Sequence, residues 1–253
     1  MSNNLQDIKL MCIGDSITNG LTPGSYRKFL YHNLISKGYK IKMVGVLNNS
    51  IAKYTDKENP SNSFEYQDDN CGFSGYTTRD YKERKGLLEI MQKTECLKLN
   101  PDIIILLIGT NHIMDNIDYD FTINTFIDLI EFILNNINKN TMVFVGTIPD
   151  IDPNNKIDYT WFNNYRTENV DDKEVQNIVN NYVIKFNNKM KEIIEDFRTK
   201  NQNIKVEDLN SVLKDFENLM VDGVHPNENG FKKMADFWTD IIVNYLNEIN
   251  YKI

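Results

Sequence analysis

The feature that most constrains the fold is an apolar run in the middle of the chain, residues 102–108, with the sequence DIIILLI. Every position after its first aspartate is apolar, and no polar residue alternates with the apolar ones. A strand with one solvent-exposed face alternates apolar and polar residues, whereas a strand of a parallel sheet is covered on both faces and is apolar throughout. The run therefore predicts a strand of a parallel sheet that is flanked by helices.

Strand-like and helix-like segments alternate along the whole chain. Strands are predicted at residues 8–13, 41–47, 102–108, 141–148 and 203–209. Apolar residues at helical spacing predict helices at residues 26–35, 79–99, 121–137, 171–200 and 228–246. No linker-like composition and no internal repeat interrupts this order. We therefore expect one domain over residues 1–253, a three-layer α/β/α sandwich with a doubly wound parallel sheet of about five strands.

Two long polar segments, residues 48–78 and 150–170, are predicted as loops. Loops of this length inside a domain are usually functional or disordered. The second carries several aromatic residues, among them Trp161. These rings would either form a wall on which a sugar ring packs or close the core over the edge of the sheet, and the sequence supports both interpretations equally.

A first polar cluster, GDSIT at residues 14–18, directly follows the first predicted strand and precedes a helix. This position puts Ser16 on a tight turn at the carboxyl edge of the sheet, where open α/β sheets bind their ligands. A helix that starts there directs backbone N–H groups toward negative charge. The alternative is a turn in which Ser16 only caps the helix, because glycine, aspartate and serine are common turn residues.

A second polar cluster contains Asp222 and His225, which are three positions apart with Gly223 between them. This spacing allows the carboxylate to reach one ring nitrogen while the other nitrogen points away, as the orientation of a general base requires. The alternative is an ordinary turn, and this segment alone supports both equally. The chain has two other histidines, His32 and His112, and His32 is predicted on the exposed side of the first helix.

Acyl transfer also needs hydrogen-bond donors for the negatively charged oxygen that develops in the transition state. Gly75 can offer its backbone N–H at close approach because it has no side chain. Asn111, at the end of the central strand, can offer its side-chain amide, and Ser16 its own N–H. The alternatives are a turn glycine at Gly75 and a helix cap or turn former at Asn111.

Read together, these clusters resemble the four conserved blocks of the SGNH hydrolases, also called GDSL-type esterases. The matching segments are GDS at 14–16, Gly75, GTN at 109–111 and DGVH at 222–225. Their order matches, and they extend from the first strand to the last helix. The resemblance implies the flavodoxin-like fold of that superfamily.

The flanking residues are similar to those of the acetyl xylan esterases of carbohydrate esterase family three. The similar segments are GSYR at 24–27, GFSGYT at 72–77 and DGVHPN at 222–227. By this resemblance the oxyanion glycine is Gly75, not Gly72. The residue after Asn111 is usually aspartate in that family, whereas this chain has His112, a departure that bears on the substrate.

The resemblance implies a serine esterase that removes short acyl groups, mainly acetyl, from xylan-derived or other acetylated carbohydrate. Ser16 would be the nucleophile, His225 the general base and Asp222 the acid that orients it. The oxyanion hole would consist of Ser16, Gly75 and Asn111. The reaction would pass through an acyl-enzyme and need no metal or organic cofactor.

Other polar and aromatic residues lie beside these blocks. The predicted substrate contacts among them are Asp15, His112, Tyr76 and Trp161. Asp15 is also predicted to stabilise the turn. Arg27 and Arg79 could bind polar substrate, but a solvated surface position is favoured for both.

Three alternatives compete with this hypothesis. A metal-dependent phosphoesterase would need several histidine and aspartate ligands, which the chain supplies poorly. An SGNH lipid esterase, lysophospholipase or thioesterase would share the same site, although no long apolar insertion favours lipid. A catalytically inactive carbohydrate-binding relative would not need the nucleophile and base that the sequence contains.

Composition limits the partners and the compartment. The net charge is −8 and no long basic cluster is present, which argues against nucleic acid or an anionic membrane as a partner. The three cysteines are scattered, which favours reduced thiols over a disulfide framework: Cys12, Cys71 and Cys96. No export signal is visible, so a cytoplasmic location is expected, or a secreted one if the start was trimmed. A small acylated carbohydrate is the expected partner, and the sequence predicts no oligomeric state.

Overall fold

Strands and helices alternate in the computed structural model, which describes residues 7–48, 50–155, 161–166, 170–200 and 203–251. The strands are β1 (Ile8–Gly14), β2 (Ile41–Met43), β3 (Ile51–Tyr54), β4 (Phe64–Gln67), β5 (Cys71–Gly72), β6 (Ile103–Leu107), β7 (Met142–Gly146) and β8 (Ile204–Glu207). The α-helices are α1 (Ser16–Asn19), α2 (Ser25–Ser36), α3 (Leu87–Thr94), α4 (Thr110–Met114), α5 (Tyr119–Asn136), α6 (Asp172–Thr199), α7 (Phe216–Leu219) and α8 (Glu228–Glu248).

The main sheet has the strand order β2-β1-β6-β7-β8, and all these pairs are parallel. The short strand β5 also pairs in parallel with the carboxyl end of β1. Every residue of β6 is buried, because apolar side chains cover both of its faces. The sequence prediction of a parallel α/β sheet with a doubly covered strand is confirmed.

The helices lie in two layers that complete a three-layer α/β/α sandwich. Helix α2 packs against α8, while α5 packs against α3 and α6. The chain runs from β1 outward to β2 and later returns to β6, from which it proceeds in the opposite direction to β7 and β8. The reversal of strand order falls between β1 and β6, and ligands bind at the carboxyl ends of strands at such a switch point. Ser16 follows β1 and Asn111 follows β6, so both lie there.

Three predicted boundaries are wrong. The second strand, predicted at residues 41–47, ends at Met43. Residues 48–78 are not a continuous loop, because β3 and β4 form an antiparallel pair that buries Tyr54 and Tyr66. Their four-residue strands are too short for the alternation to stand out in the sequence. The predicted helix at 79–99 starts only at α3, and residues 79–86 form turns instead. The side chain of Asp80 accepts a hydrogen bond from the N–H of Gly86, which holds this segment out of the helix.

Three further findings concern predicted features. The thiols of Cys12, Cys71 and Cys96 are free and buried. His32 is half-buried, and its ring stacks on that of Phe64 with 4.0 Å between centroids. Among the described residues, no helix is long and apolar enough to cross a membrane.

Candidate active site

The turn after β1 places Ser16 at the start of α1. A Cβ atom on Gly14 would lie 2.2 Å from the carbonyl oxygen of Leu107 on the neighbouring strand, so only glycine fits at this close approach. The N–H of Ile17 donates to Oδ1 of Asp15 at 3.0 Å, which caps the first turn of the helix. The local sequence GDS therefore fixes the position of the Ser16 backbone.

Arg27 supports this turn from beneath. Its side chain is fully buried and donates to the carbonyl oxygens of Thr18 at 2.9 Å and Asn19 at 3.1 Å, and to Oδ1 of Asp68 at 2.8 Å. The predicted surface position of Arg27 is wrong, because the carbonyl groups at the end of α1 and the Asp68 carboxylate together satisfy its charge. The favoured surface position of Arg79 is confirmed, since it is 40% exposed and pairs with Glu89.

Asp222, His225 and Ser16 form a continuous hydrogen-bonded chain. Oγ of Ser16 lies 2.9 Å from Nε2 of His225, and Nδ1 of the same ring lies 3.0 Å from Oδ2 of Asp222. Oδ1 of Asp222 accepts the backbone N–H groups of Val224 and His225, each at 2.7 Å. The loop thus holds its own carboxylate and ring in register, as the three-residue spacing predicts.

The environment of Asp222 keeps its carboxylate charged. Burial raises the pKa of Asp222, but hydrogen bonds from the His225 ring and from two backbone N–H groups outweigh the burial, so the pKa lies below its usual value. A carboxylate in this state stabilises a positive charge on the neighbouring imidazole.

The three predicted oxyanion residues, Ser16, Gly75 and Asn111, lie on three segments at the same edge of the sheet. Asn111 is in α4, and its side-chain amide donates to the carbonyl oxygen of Tyr76 at 2.8 Å. Gly75 has a φ of +81°, a conformation that favours glycine. The N–H of Phe73 donates to the carbonyl oxygen of Gly14 at 2.8 Å, which joins the segment of Gly75 to the turn of Ser16.

Two predicted substrate contacts border these residues. The ring of Trp161 packs edge-on against that of His225, with 5.8 Å between centroids. The ring of Tyr76 packs on that of Phe73 at 5.1 Å, and Trp161 and Tyr76 are both partly exposed. Within residues 161–166, Phe162 and Tyr165 are buried, which confirms for these two rings that the loop closes the core. A sugar-packing role of Trp161 stays a prediction. Residues 156–160 and 167–169 of the predicted loop lie outside the described residues.

The structure corrects the expectation that Asp15 and His112 contact substrate, because both side chains are fully buried. Burial raises the pKa of Asp15 to about 6 and lowers that of His112 to about 3. Nε2 of His112 accepts the N–H of Thr78 at 3.3 Å and lies 2.9 Å from its hydroxyl. A neutral, fully buried histidine therefore supports the segment that follows Gly75.

Sequence reasoning missed one ion pair at this edge, between Arg84 and Asp115. The local sequence carries no signal for it, because the partners belong to segments 31 positions apart. No group of three or more histidine, cysteine or acidic side chains within the described ranges could hold a metal ion.

Comparison with known proteins identifies the family of the chain. The chain belongs to the GDSL-like lipase/acylhydrolase family, whose sequence profile matches residues 10–238. It is 32% identical over 254 aligned positions to a multidomain esterase of Ruminococcus flavefaciens, covering 97% of this chain but only 30% of that protein. The chain thus spans less than a third of the length of this curated relative.

Solved structures with the same fold include two carbohydrate esterases. A family 3 carbohydrate esterase of Clostridium thermocellum matches with a TM-score of 0.67 and 22% identity, over 96% of this chain and 99% of the other. A family 3 carbohydrate esterase of Talaromyces cellulolyticus matches with a TM-score of 0.64 and 19% identity, over 95% and 99% of the two chains. Membership of this lipase/acylhydrolase family identifies the chain as a carboxylic ester hydrolase.

Proposed function

We propose that the protein is a serine esterase that removes short acyl groups, above all acetyl, from xylan-derived or other acetylated carbohydrate. The observation that carries this proposal is the hydrogen-bonded chain from Ser16 through His225 to Asp222. Structural similarity to two family 3 carbohydrate esterases supports carbohydrate as the substrate class, and this similarity is one of fold.

The geometry leads to a two-step acyl transfer. Ser16 Oγ attacks the ester carbonyl while Nε2 of His225 accepts its proton, and Asp222 stabilises the imidazolium that forms. The N–H groups of Ser16 and Gly75 and the amide of Asn111 donate to the carbonyl oxygen as it becomes negative. The C–O bond then breaks, and His225 returns the proton to the departing sugar hydroxyl. A water molecule releases acetate from Ser16 by the same route.

The aromatic wall beside the base supports a sugar as the leaving group. Trp161 is partly exposed and its ring is fixed edge-on to His225, so its free surface borders the position from which the alcohol departs. A ring in that place can pack against the C–H face of a pyranose. The partner that this site fits is a small acylated carbohydrate.

The experiment that tests this function compares rates on aryl acetate, butyrate and octanoate with the rate of acetate release from acetylated xylo-oligosaccharides. We expect acetyl esters to react fastest and Ser16→Ala to lower kcat at least about 10⁴-fold. Ser61→Ala, at an exposed serine outside the predicted catalytic blocks, is the matched control and should keep wild-type rates.

Two outcomes would contradict the proposal in different ways. Hydrolysis that persists at the wild-type rate in Ser16→Ala would remove Ser16 as the nucleophile. A preference for octanoate, with no acetate released from the oligosaccharide, would leave the serine mechanism intact and replace the carbohydrate with a lipid-like substrate.

A further inference from the structure

The side chain of Arg84 contacts both the segment that carries Gly75 and the end of the helix that carries Asn111. Its Nε and Nη2 atoms donate to the two carboxylate oxygens of Asp115, both at 2.7 Å. The third nitrogen, Nη1, donates to the carbonyl oxygen of Gly75 at 3.3 Å. The planar guanidinium group thus bridges two segments that contribute oxyanion donors in the proposed function.

Asp115 is well placed to pass this constraint to Asn111. It follows α4 directly, and its backbone N–H donates to the carbonyl oxygen of Asn111 at 3.2 Å. Its own carbonyl oxygen accepts the amide of Asn164 at 2.8 Å, which ties the same point to the loop of Trp161. A shift of the Asp115 carboxylate would therefore move the end of the helix that carries Asn111.

Arg84 is itself held in place by a tight turn. The N–H of Arg84 donates to the carbonyl oxygen of Tyr81 at 2.9 Å, and the N–H of Tyr81 donates to the carbonyl oxygen of Arg84 at 3.1 Å. Lys82 within this turn has a positive φ of 51°. The guanidinium group therefore extends from a fixed backbone toward two partners.

Gly75 needs such support more than its neighbours do. A glycine with positive φ has no side chain to restrict it, so contacts of its peptide groups must fix the direction of its N–H. The carbonyl oxygen of Gly75 is bound by Arg84, and that of Tyr76 is bound by Asn111. The Gly75 carbonyl belongs to the peptide plane next to the donor N–H. Among the described residues, loss of the Arg84 contact would leave that plane held only by the hydrogen bond from the N–H of Tyr76 to the carbonyl oxygen of Phe73 at 3.2 Å.

We propose that Arg84 and Asp115 are a positioning pair that sets the distance between the oxyanion donors Gly75 and Asn111. This inference rests on the proposed function. The pair is only partly shielded from solvent, since the side chains of Arg84 and Asp115 are 30% and 29% exposed, and both line an open groove of about 550 Å³. Its contribution to folding stability is therefore expected to be small, whereas its contribution to turnover depends on precise placement.

The first experiment measures kcat and KM on an aryl acetate for Arg84→Met and for Asp115→Asn. Each change should lower kcat about 10- to 100-fold, because displacement of a donor by about 1 Å costs up to that much. KM should stay within about twofold, since oxyanion contacts strengthen only in the transition state. Arg84→Lys, which keeps the charge but loses the fork, should recover part of the lost kcat.

The matched control is Arg79→Met. Arg79 lies in the same series of turns and makes comparable contacts, to Glu89 at 2.7 Å and Asp128 at 3.0 Å, but it touches neither Gly75 nor α4. It should keep the wild-type kcat. Equal losses in Arg79→Met and Arg84→Met would mean that any ion pair in these turns matters for folding alone, and would overturn the proposal.

A double-mutant cycle with Asn111→Ala separates positioning from general damage. If Arg84 acts through the oxyanion donors, Arg84→Met should cost much less in kcat when Asn111 is already alanine. Additive losses would contradict the proposal. Failure here is distinguishable from failure of the proposed function, because Ser16→Ala would still abolish hydrolysis while Arg84→Met retained it.

Discussion

Asp222 and Asp15 both lie in the loops that carry the Ser16–His225 pair, but their carboxylates are satisfied in different ways. The carboxylate of Asp222 accepts two backbone N–H groups and reaches the ring of His225, and these contacts keep its pKa below the usual value. The carboxylate of Asp15 is fully buried, one of its oxygens has no hydrogen-bond partner, and burial raises its pKa to about 6. Proximity to the proposed nucleophile therefore does not assign a role to a carboxylate, whereas the hydrogen bonds that the carboxylate accepts do.

The sharpest test of this comparison is Asp222→Asn. The amide would place an N–H group against Nδ1 of His225 and favour the tautomer that cannot accept the proton of Ser16. We expect kcat on an aryl acetate to fall about 10⁴-fold, with little change in KM. A loss of less than tenfold, in a variant whose circular dichroism matches the wild type, would show that Asp222 is not the acid of this site.

Asp15→Asn should have a much smaller effect on turnover. The asparagine oxygen can still accept the N–H of Ile17, so the turn that carries Ser16 keeps its cap. We expect kcat/KM at pH 8 to change less than about tenfold, since only a buried charge near His225 is lost. A loss as large as that of Asp222→Asn would transfer the role of the acid to Asp15.

The same variant should change how stability depends on pH. Burial on folding raises the pKa of Asp15 from its usual value of 3.8 to about 6, so the folded state binds the proton more tightly. The stability that this tighter proton binding contributes is fully present below about pH 4 and is lost as the pH rises through 6. Asparagine does not ionise, so Asp15→Asn lacks this loss. The free energy of unfolding of the variant minus that of the wild type should therefore increase by about 2–3 kcal/mol from pH 4 to pH 7.

Urea unfolding of both proteins at pH 4 and at pH 7 measures this difference. The comparison at two pH values cancels any fixed cost of placing an amide in the buried site, because that cost is the same at both. A stability difference that does not vary with pH would show that Asp15 has the same pKa in the folded and unfolded chain.

The sequence predicts those parts of the molecule whose structure depends on residues close together in the chain. The continuous apolar run predicts β6, and the spacing of Asp222 and His225 predicts a loop that closes on itself, because each depends on residues within a few positions. Burial of Arg27 is not predictable in this way, since the carboxylate that balances its charge lies 41 positions away. The burial of Asp15 and His112 cannot be predicted from the sequence either, because it depends on which distant segments cover each side chain.

The contact between Ser16 and His225 joins residues 209 positions apart, one after the first strand and the other just before α8. We expect such a contact to form late in folding, because closing a long stretch of chain costs entropy before the contact gives any energy back. Helix α8 packs against α2, which follows the turn of Ser16, so docking of this helix brings the two halves together. Activity recovered during refolding would therefore report the completion of the whole domain and not the formation of its central sheet.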